Sequence, residues 1–242
     1  MPASLRALDL PPPFRLVALR EAGDAFAHAC AHAPQFGAGT LVFAGRFDLA
    51  EFAVVLEPEE TLVSARRSFY AGMAALADTL SALAPPETPI AIKWPDRLEI
   101  GRGVVGGGRL GWPQSADEHE RPDWLVFGAV IRLVTMRSGK AALDLRWTSL
   151  ADEGFGEVGA EGLVEGFARH LMVAIDCWQE DDFAPIARGY LARYRPEQGV
   201  RLEIDATGNL RIERLIEPAV CLDLRTALAS PSWLGRCCGD AP

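Results

Sequence analysis

The apolar runs of β character in this chain come in clusters, and that order limits the folds open to it. Thr40–Ala44 (TLVFA) and Leu49–Leu56 (LAEFAVVL) are parted only by a turn at Gly45-Arg46, so two strands lie close in sequence. Further on, Ile90–Trp94 (IAIKW), Leu98–Ile100, Val104–Leu110 and Trp124–Leu133 succeed one another with no helical stretch between them. The succession implies a mostly antiparallel sheet. Because strands and helices do not alternate as simple βαβ units, an α+β fold fits better than a doubly wound one.

The remaining segments supply the flanking helices. Phe14–Leu19 (FRLVAL) follows Pro11-Pro12-Pro13 as a first strand, and the Ala-rich stretch Ala22–Ala33 reads as a helix closed by Pro34. Glu57, Glu59 and Glu60 introduce a second helix, where negative charge suits the helix dipole. Its apolar positions Leu62, Phe69, Met73, Leu76, Leu80 and Leu83 are spaced 7, 4, 3, 4 and 3, which places them on one face before Pro85-Pro86 ends the run. Gln114–Asp123 is polar and is expected as an exposed hairpin loop carrying a solvated His119. A strand at Ala142–Trp147, Thr148-Ser149-Leu150 and helices at Glu161–Trp178 and Phe183–Tyr194 complete a larger domain, residues 1–195. Pro196–Gly199 reads as a linker to a small β module, residues 196–242, built from Val200–Ile204, a turn at Asp205–Asn209, Leu210–Leu215 and Val220–Leu224. So small a module is expected to pack on the main domain.

Composition removes whole classes of function. With 24 Lys+Arg against 33 Asp+Glu among 242 residues, the formal charge is −9, which excludes a dedicated nucleic-acid binder. Hydrophobic residues at 49% and charged ones at 24% are those of an ordinary globular protein. No stretch reaches the roughly 18 apolar residues of a membrane span, so no membrane partner and a cytoplasmic address are expected. The five cysteines (Cys30, Cys177, Cys221, Cys237, Cys238) are odd in number and lack CxxC spacing, which speaks against a disulfide framework or a zinc site. His28 and His32 are spaced i, i+4 without a third ligand and read as a solvated face, so no metal site is expected. Cys237-Cys238 fall in a short tail after Pro231, expected as a mobile end.

One constellation stops looking generic: Ile92-Lys93-Trp94-Pro95-Asp96-Arg97-Leu98, followed eight residues later by Gly106-Gly107-Gly108. It resembles the biotin and lipoate protein ligase superfamily. There a Lys-Trp-Pro-Asn-Asp strand end precedes a hairpin that carries a reactive lysine and an Ala-Gly pair lying against the acyl chain and adenylate. WLVFGAVIRL is similar to the family's Ile-Gly-Ile-Gly-Ile-Asn strand, and the order of elements from about Phe14 to Leu224 follows the family. The resemblance implies activation of a small carboxylic acid (biotin, lipoate or a fatty acid) with ATP and Mg²⁺, followed by transfer to a biotinyl or lipoyl carrier domain. Such chemistry requires positive charge beside the phosphates. On the matching positions it implies Lys93 as the catalytic phosphate contact, with Arg46, Trp94, Asp96, Arg102, Gly106, Gly107, Gly108 and Arg132 as ligand-binding positions.

The departures from the family pattern are as specific as the matches. Only Ala44-Gly45-Arg46-Phe47-Asp48 stands where the family's Gly-Arg-Gly-Arg-x-Gly-Arg nucleotide loop belongs. The hairpin lysine aligns with Gly103, leaving Arg102 one residue away, and an arginine does not reproduce a lysine's point charge in the same place. The family's Ser-Thr-Asn becomes Ala22-Gly23-Asp24, its Asn-Asp becomes Asp96-Arg97, and the strand asparagine becomes Arg132. Alternatives stay open for each retained residue. Lys93 is a phosphate contact or an outward-facing strand lysine, and Trp94 and Trp112 line an acyl tunnel or belong to the core. Gly106–Gly108 admits a ligand or marks a bulge. Arg102, Arg109 and Arg132 as one anion site would need bulges, because alternate positions on a strand face opposite ways. Three functions compete: an acyl-adenylate-forming ligase, a non-catalytic binder of a carboxylate or carrier domain, and a thiol-dependent acyltransferase using Cys30 or Cys177.

Overall fold

The computed structural model describes residues 8–20, 23–136, 147–194 and 199–234. The expected strand segment 142–146, the linker residues 196–198, Ala22 and Cys237-Cys238 lie outside the described residues. The elements in order are β1 (Arg15–Leu19), α1 (Ala25–Phe36), β2 (Thr40–Gly45), β3 (Leu49–Leu56), α2 (Leu62–Ala65), α3 (Ser68–Leu83), β4 (Ile90–Lys93), β5 (Arg97–Ile100), β6 (Gly103–Gly111) and β7 (Leu125–Arg132). They are followed by α4 (Ala160–Asp181), α5 (Ala184–Ala192), β8 (Val200–Ile204), β9 (Leu210–Arg214), β10 (Val220–Leu222) and α6 (Leu224–Leu228). A seven-stranded sheet runs β1-β2-β3-β7-β6-β5-β4, and a three-stranded sheet runs β10-β9-β8. Among the described strands only β1 and β2 pair in parallel; the other strand pairs of the large sheet are antiparallel, as the clustered runs imply, with isolated parallel bridges from Ile92 to Tyr194 and from Val104 to Trp147 at its margin.

Strands β3 and β7 are central and covered on both faces, which is why LAEFAVVL and LVFGAVIR read as nearly unbroken apolar runs. One face carries the main core, where Phe52, Phe69 and Phe127 meet α3 and α4. Phe127 stacks on Phe167 of α4 at 5.6 Å between ring centroids, and Phe52 lies 4.6 Å from the same ring. On the other face α1 covers only part of the sheet. Ala25, Ala29 and Ala33, spaced i, i+4, i+8, lie against Val42, Ala53, Val55 and Val126. Asp24 caps this helix by accepting from the Ala27 N–H at 2.9 Å.

Some local expectations are corrected. The second helix is not continuous, because α2 and α3 are separated at Arg66-Arg67. Buried Arg66 there turns to a bidentate pair with Glu118. The 114–123 hairpin loop is largely exposed, as expected, and its Glu118 and Glu120 carbonyls accept from the Val63 and Leu62 N–H groups, satisfying the first donors of α2. Finally, the chain after Pro231 is not loose throughout, since Trp233 is fully buried. The small sheet and α6 share the main core through Ile204, Leu210, Leu224 and Leu228, and Leu224 begins a helix where the sequence suggested a strand end.

Candidate functional site

Residues directly opposed in an antiparallel ladder project from one face of the sheet. Across the register, Ala44, Glu51, Val130, Gly107, Arg97 and Lys93 form a single row that crosses from β2 to β4. Neighbouring rows on the same face set Leu49 opposite Arg132 and Arg109 opposite Gly128. Beyond the part that α1 covers, this face gathers Lys93, Arg97 and Arg132 around an apolar strip of Leu49, Gly107 and Val130, while Arg109 lies at the border, 4.2 Å under the Phe26 ring of α1. Arg109 and Arg132 lie on the same face with no bulge between them, because β6 and β7 pair in register. Arg102 stands apart, exposed in the β5–β6 turn.

The three glycines do different things. The β5–β6 pairing shifts register between Leu98 and Glu99, and just past this irregularity Gly106 adopts a φ of 150°. A Cβ at Gly106 would lie 1.9 Å from the Val130 carbonyl oxygen. At Gly107 it would lie 2.0 Å from the Asp96 carbonyl oxygen and 2.5 Å from the Trp233 indole nitrogen. Gly108 instead faces the helices, where a Cβ would meet Met73 Sδ at 2.6 Å. Gly107 is thus the floor of the open face, while Gly106 and Gly108 let strands and helix close up behind it.

The Lys-Trp-Pro-Asp turn is fixed from both sides. On the helix side Trp94 Nε1 donates to Tyr70 Oη at 2.9 Å, Tyr70 Oη donates to the Gly208 carbonyl at 2.6 Å, and Tyr190 Oη donates to the Pro95 carbonyl at 2.7 Å. Trp94 thereby joins the core side and not the open face, as does Trp112, whose ring lies 5.5 Å below the Arg66 guanidinium. On the sheet side Asp96 is 1% exposed and accepts from Ser232 N–H and Ser232 Oγ, both at 2.7 Å. Burial raises its pKa, an effect the two Ser232 bonds oppose.

Lys93 is exposed at the end of the row, and its side chain makes no hydrogen bond or ion pair with the described residues. Arg97 beside it pairs with Glu99 at 2.9 Å, yet its buried Nε has no partner among the described residues. Arg46 is held by Asp48 through two bonds of 3.1 and 3.0 Å. Arg132 packs its guanidinium 5.0 Å over the Trp147 ring.

Two groups were invisible as site components in the sequence. Glu51, 6% exposed, accepts from the Ala25 N–H at 3.0 Å at the start of α1, beside the Arg109–Asp24 pair of 2.7 Å. Burial raises its pKa, with the Ala25 bond acting the other way. A lone acid inside the apolar run LAEFAVVL was the available signal. The other is the segment Pro231–Leu234, signalled only by an aromatic residue in an otherwise polar tail. Cys30 is part of α1 itself, and burial pushes its thiol up to about 11, the wrong direction for a nucleophilic thiolate.

A mixed, mostly antiparallel sheet flanked by helices, with a small C-terminal sheet packed on it, is the fold of biotin protein ligases. The chain belongs to the Biotin/lipoate A/B protein ligase family, whose profile matches residues 10–192. Among solved structures it is similar to a biotin protein ligase-like protein of unknown function from Silicibacter sp. tm1040, with a TM-score of 0.80, 26% identity, and 92% of this chain and 100% of that one covered. It shares its fold with the biotin protein ligase of Aquifex aeolicus, at a TM-score of 0.68 and 15% identity over 86% of this chain and 95% of that one. The Leishmania major biotin protein ligase in complex with biotinyl-5-AMP matches at 0.54 and 15% identity, over 88% of this chain and 99% of that one. No curated protein matches the chain significantly.

Proposed function

We propose that this chain activates a small carboxylic acid of the biotin, lipoate or fatty-acid kind as its acyl adenylate and passes the acyl group to a lysine of a biotinyl or lipoyl carrier domain. The acid's carboxylate attacks the α-phosphorus of ATP and pyrophosphate leaves. The acceptor amine then attacks the mixed anhydride, and AMP departs. The observation that carries this reading is the row from Glu51 through Val130, Gly107 and Arg97 to Lys93 on the face α1 leaves open. Lys93 and Arg97 lie at the end of that row, suited to the negative charge that develops on the phosphates. Gly107 gives the acyl chain a floor without a side chain. Mg²⁺ would enter on the nucleotide's own phosphates, the usual mode for this ion.

A second reading is a non-catalytic binder of the acid or of the carrier domain. It is supported by the β2–β3 turn, where three residues, Arg46–Asp48, stand between the strands, and by Gly103 at the position of the hairpin lysine. Acid-dependent exchange of label between pyrophosphate and ATP separates the two. The ligase reading expects exchange with one acid and a loss of about 100-fold in Lys93→Ala. Binding of the acid with no exchange, at any enzyme concentration, leaves the binder.

A further inference from the structure

The strip that the proposed ligand would cover already has an occupant. Trp233 is fully buried, but it belongs to a small cluster with Leu49 and Val130, separate from the main core beneath the helices. Its indole lies directly on Gly107, and its Nε1 donates to the Gly108 carbonyl at 3.1 Å. Ser232 engages both oxygens of Asp96, the acid of the Lys-Trp-Pro-Asp turn. Two consecutive residues of the C-terminal segment thus use the floor and the acid of the candidate site, from 125 and 136 residues away in sequence.

We infer that Pro231–Leu234 is an intrachain occupant of the glycine slot, which closes the open face at rest and must be displaced for a ligand to reach Gly107. The inference rests on the proposed function in one respect, that the ligand lies on this face. A segment tethered to the same chain competes at high effective concentration, so a ligand of moderate affinity meets a site that is mostly filled. The apparent dissociation constant is then the intrinsic one divided by the open fraction, and weakening the segment tightens ligand binding without adding a contact. Asp96 shares the device. With Ser232 withdrawn, its buried carboxylate loses both bonds, so the open state needs a ligand group or water to replace them.

The test uses the full chain as wild type, Trp233→Ala and Ser232→Asp. The second variant keeps the indole and sets a like charge against Asp96, so it covers the case in which the first fails to fold. The probes are non-hydrolysable biotinyl, lipoyl and octanoyl adenosine sulfamates, titrated by calorimetry. Amide exchange at Ser232 is followed in the wild type at saturation. The expected result is binding at least tenfold tighter in each folded variant than in the wild type, with faster Ser232 exchange when a probe fills the site. Equal affinity in all three chains, or unchanged Ser232 protection at saturation, overturns the inference and leaves the proposed function standing. If no probe binds any of the three chains, the proposed function falls and the inference with it.

Discussion

At the scale of single residues, the open face depends on groups tolerated only because their surroundings are specific. Gly106 combines a φ of 150° with a Cβ position 1.9 Å from a backbone oxygen that cannot swing away. Gly106→Ala is therefore expected to cost about 3 kcal/mol through strain and overpacking, read as a lower midpoint in chemical denaturation. Glu51 carries the opposite kind of tension. Burial raises its folded pKa above the ordinary 4.5, so its ionised form penalises folding at neutral pH. That penalty is absent below the unfolded value, grows as pH rises through the window up to the raised one, and is constant above it. Glu51→Gln keeps an acceptor for the Ala25 N–H and removes the charge. It should raise Tm at about pH 8 and lose that advantage by about pH 4, measured by scanning calorimetry. A gain in stability from deleting a buried charge fits a residue retained for binding rather than for folding.

At the scale of elements, the Lys-Trp-Pro-Asp turn is a junction of α3, α5, the small sheet and the C-terminal segment. Tyr70 is its pin, accepting from Trp94 while donating to Gly208 in the β8–β9 turn. Tyr70→Phe strands the buried Gly208 carbonyl and the indole N–H of half-buried Trp94. A loss of roughly 2 kcal/mol is expected, with amide exchange accelerated in both the 94–97 turn and the 205–209 turn. Acceleration confined to one of them would show that the tyrosine does not couple the two. The elements themselves were largely legible in the sequence, because period-2 and period-3.6 patterns depend on local burial. Long-range partners were not. The break at Arg66-Arg67 depends on Glu118, 52 residues on, and Trp94 faces the helices because Tyr70 offers it an acceptor. Neither follows from spacing.

At the scale of the whole molecule, the family and the α+β sheet were readable because the order of strands and the Lys-Trp-Pro-Asp turn follow the family although the β2–β3 turn is short. Which of the candidate positions share a face was readable in part. Lys93 and Gly107 fall on the open face, and Arg132 with them, whereas Trp94 and Trp112 pack on the helix side and Arg46 is engaged by Asp48. The Glu51–Arg109–Asp24 group and the docked Ser232-Trp233 escaped because each is assembled from segments distant in sequence. No helix among the described residues is long and apolar enough to cross a membrane.

The measurement that bears most directly on the central claim is a thermal-shift panel of the full chain. It sets biotin, lipoate, octanoate and ATP with Mg²⁺ beside the matching non-hydrolysable acyl-adenosine analogues, since a ligand selective for the folded state raises its Tm. The account predicts one acyl-adenosine analogue that raises Tm by several degrees, beyond either its acid or ATP alone, with the increment reduced in Lys93→Ala. A free acid that stabilises the chain while every adenosine compound leaves Tm unchanged would contradict it.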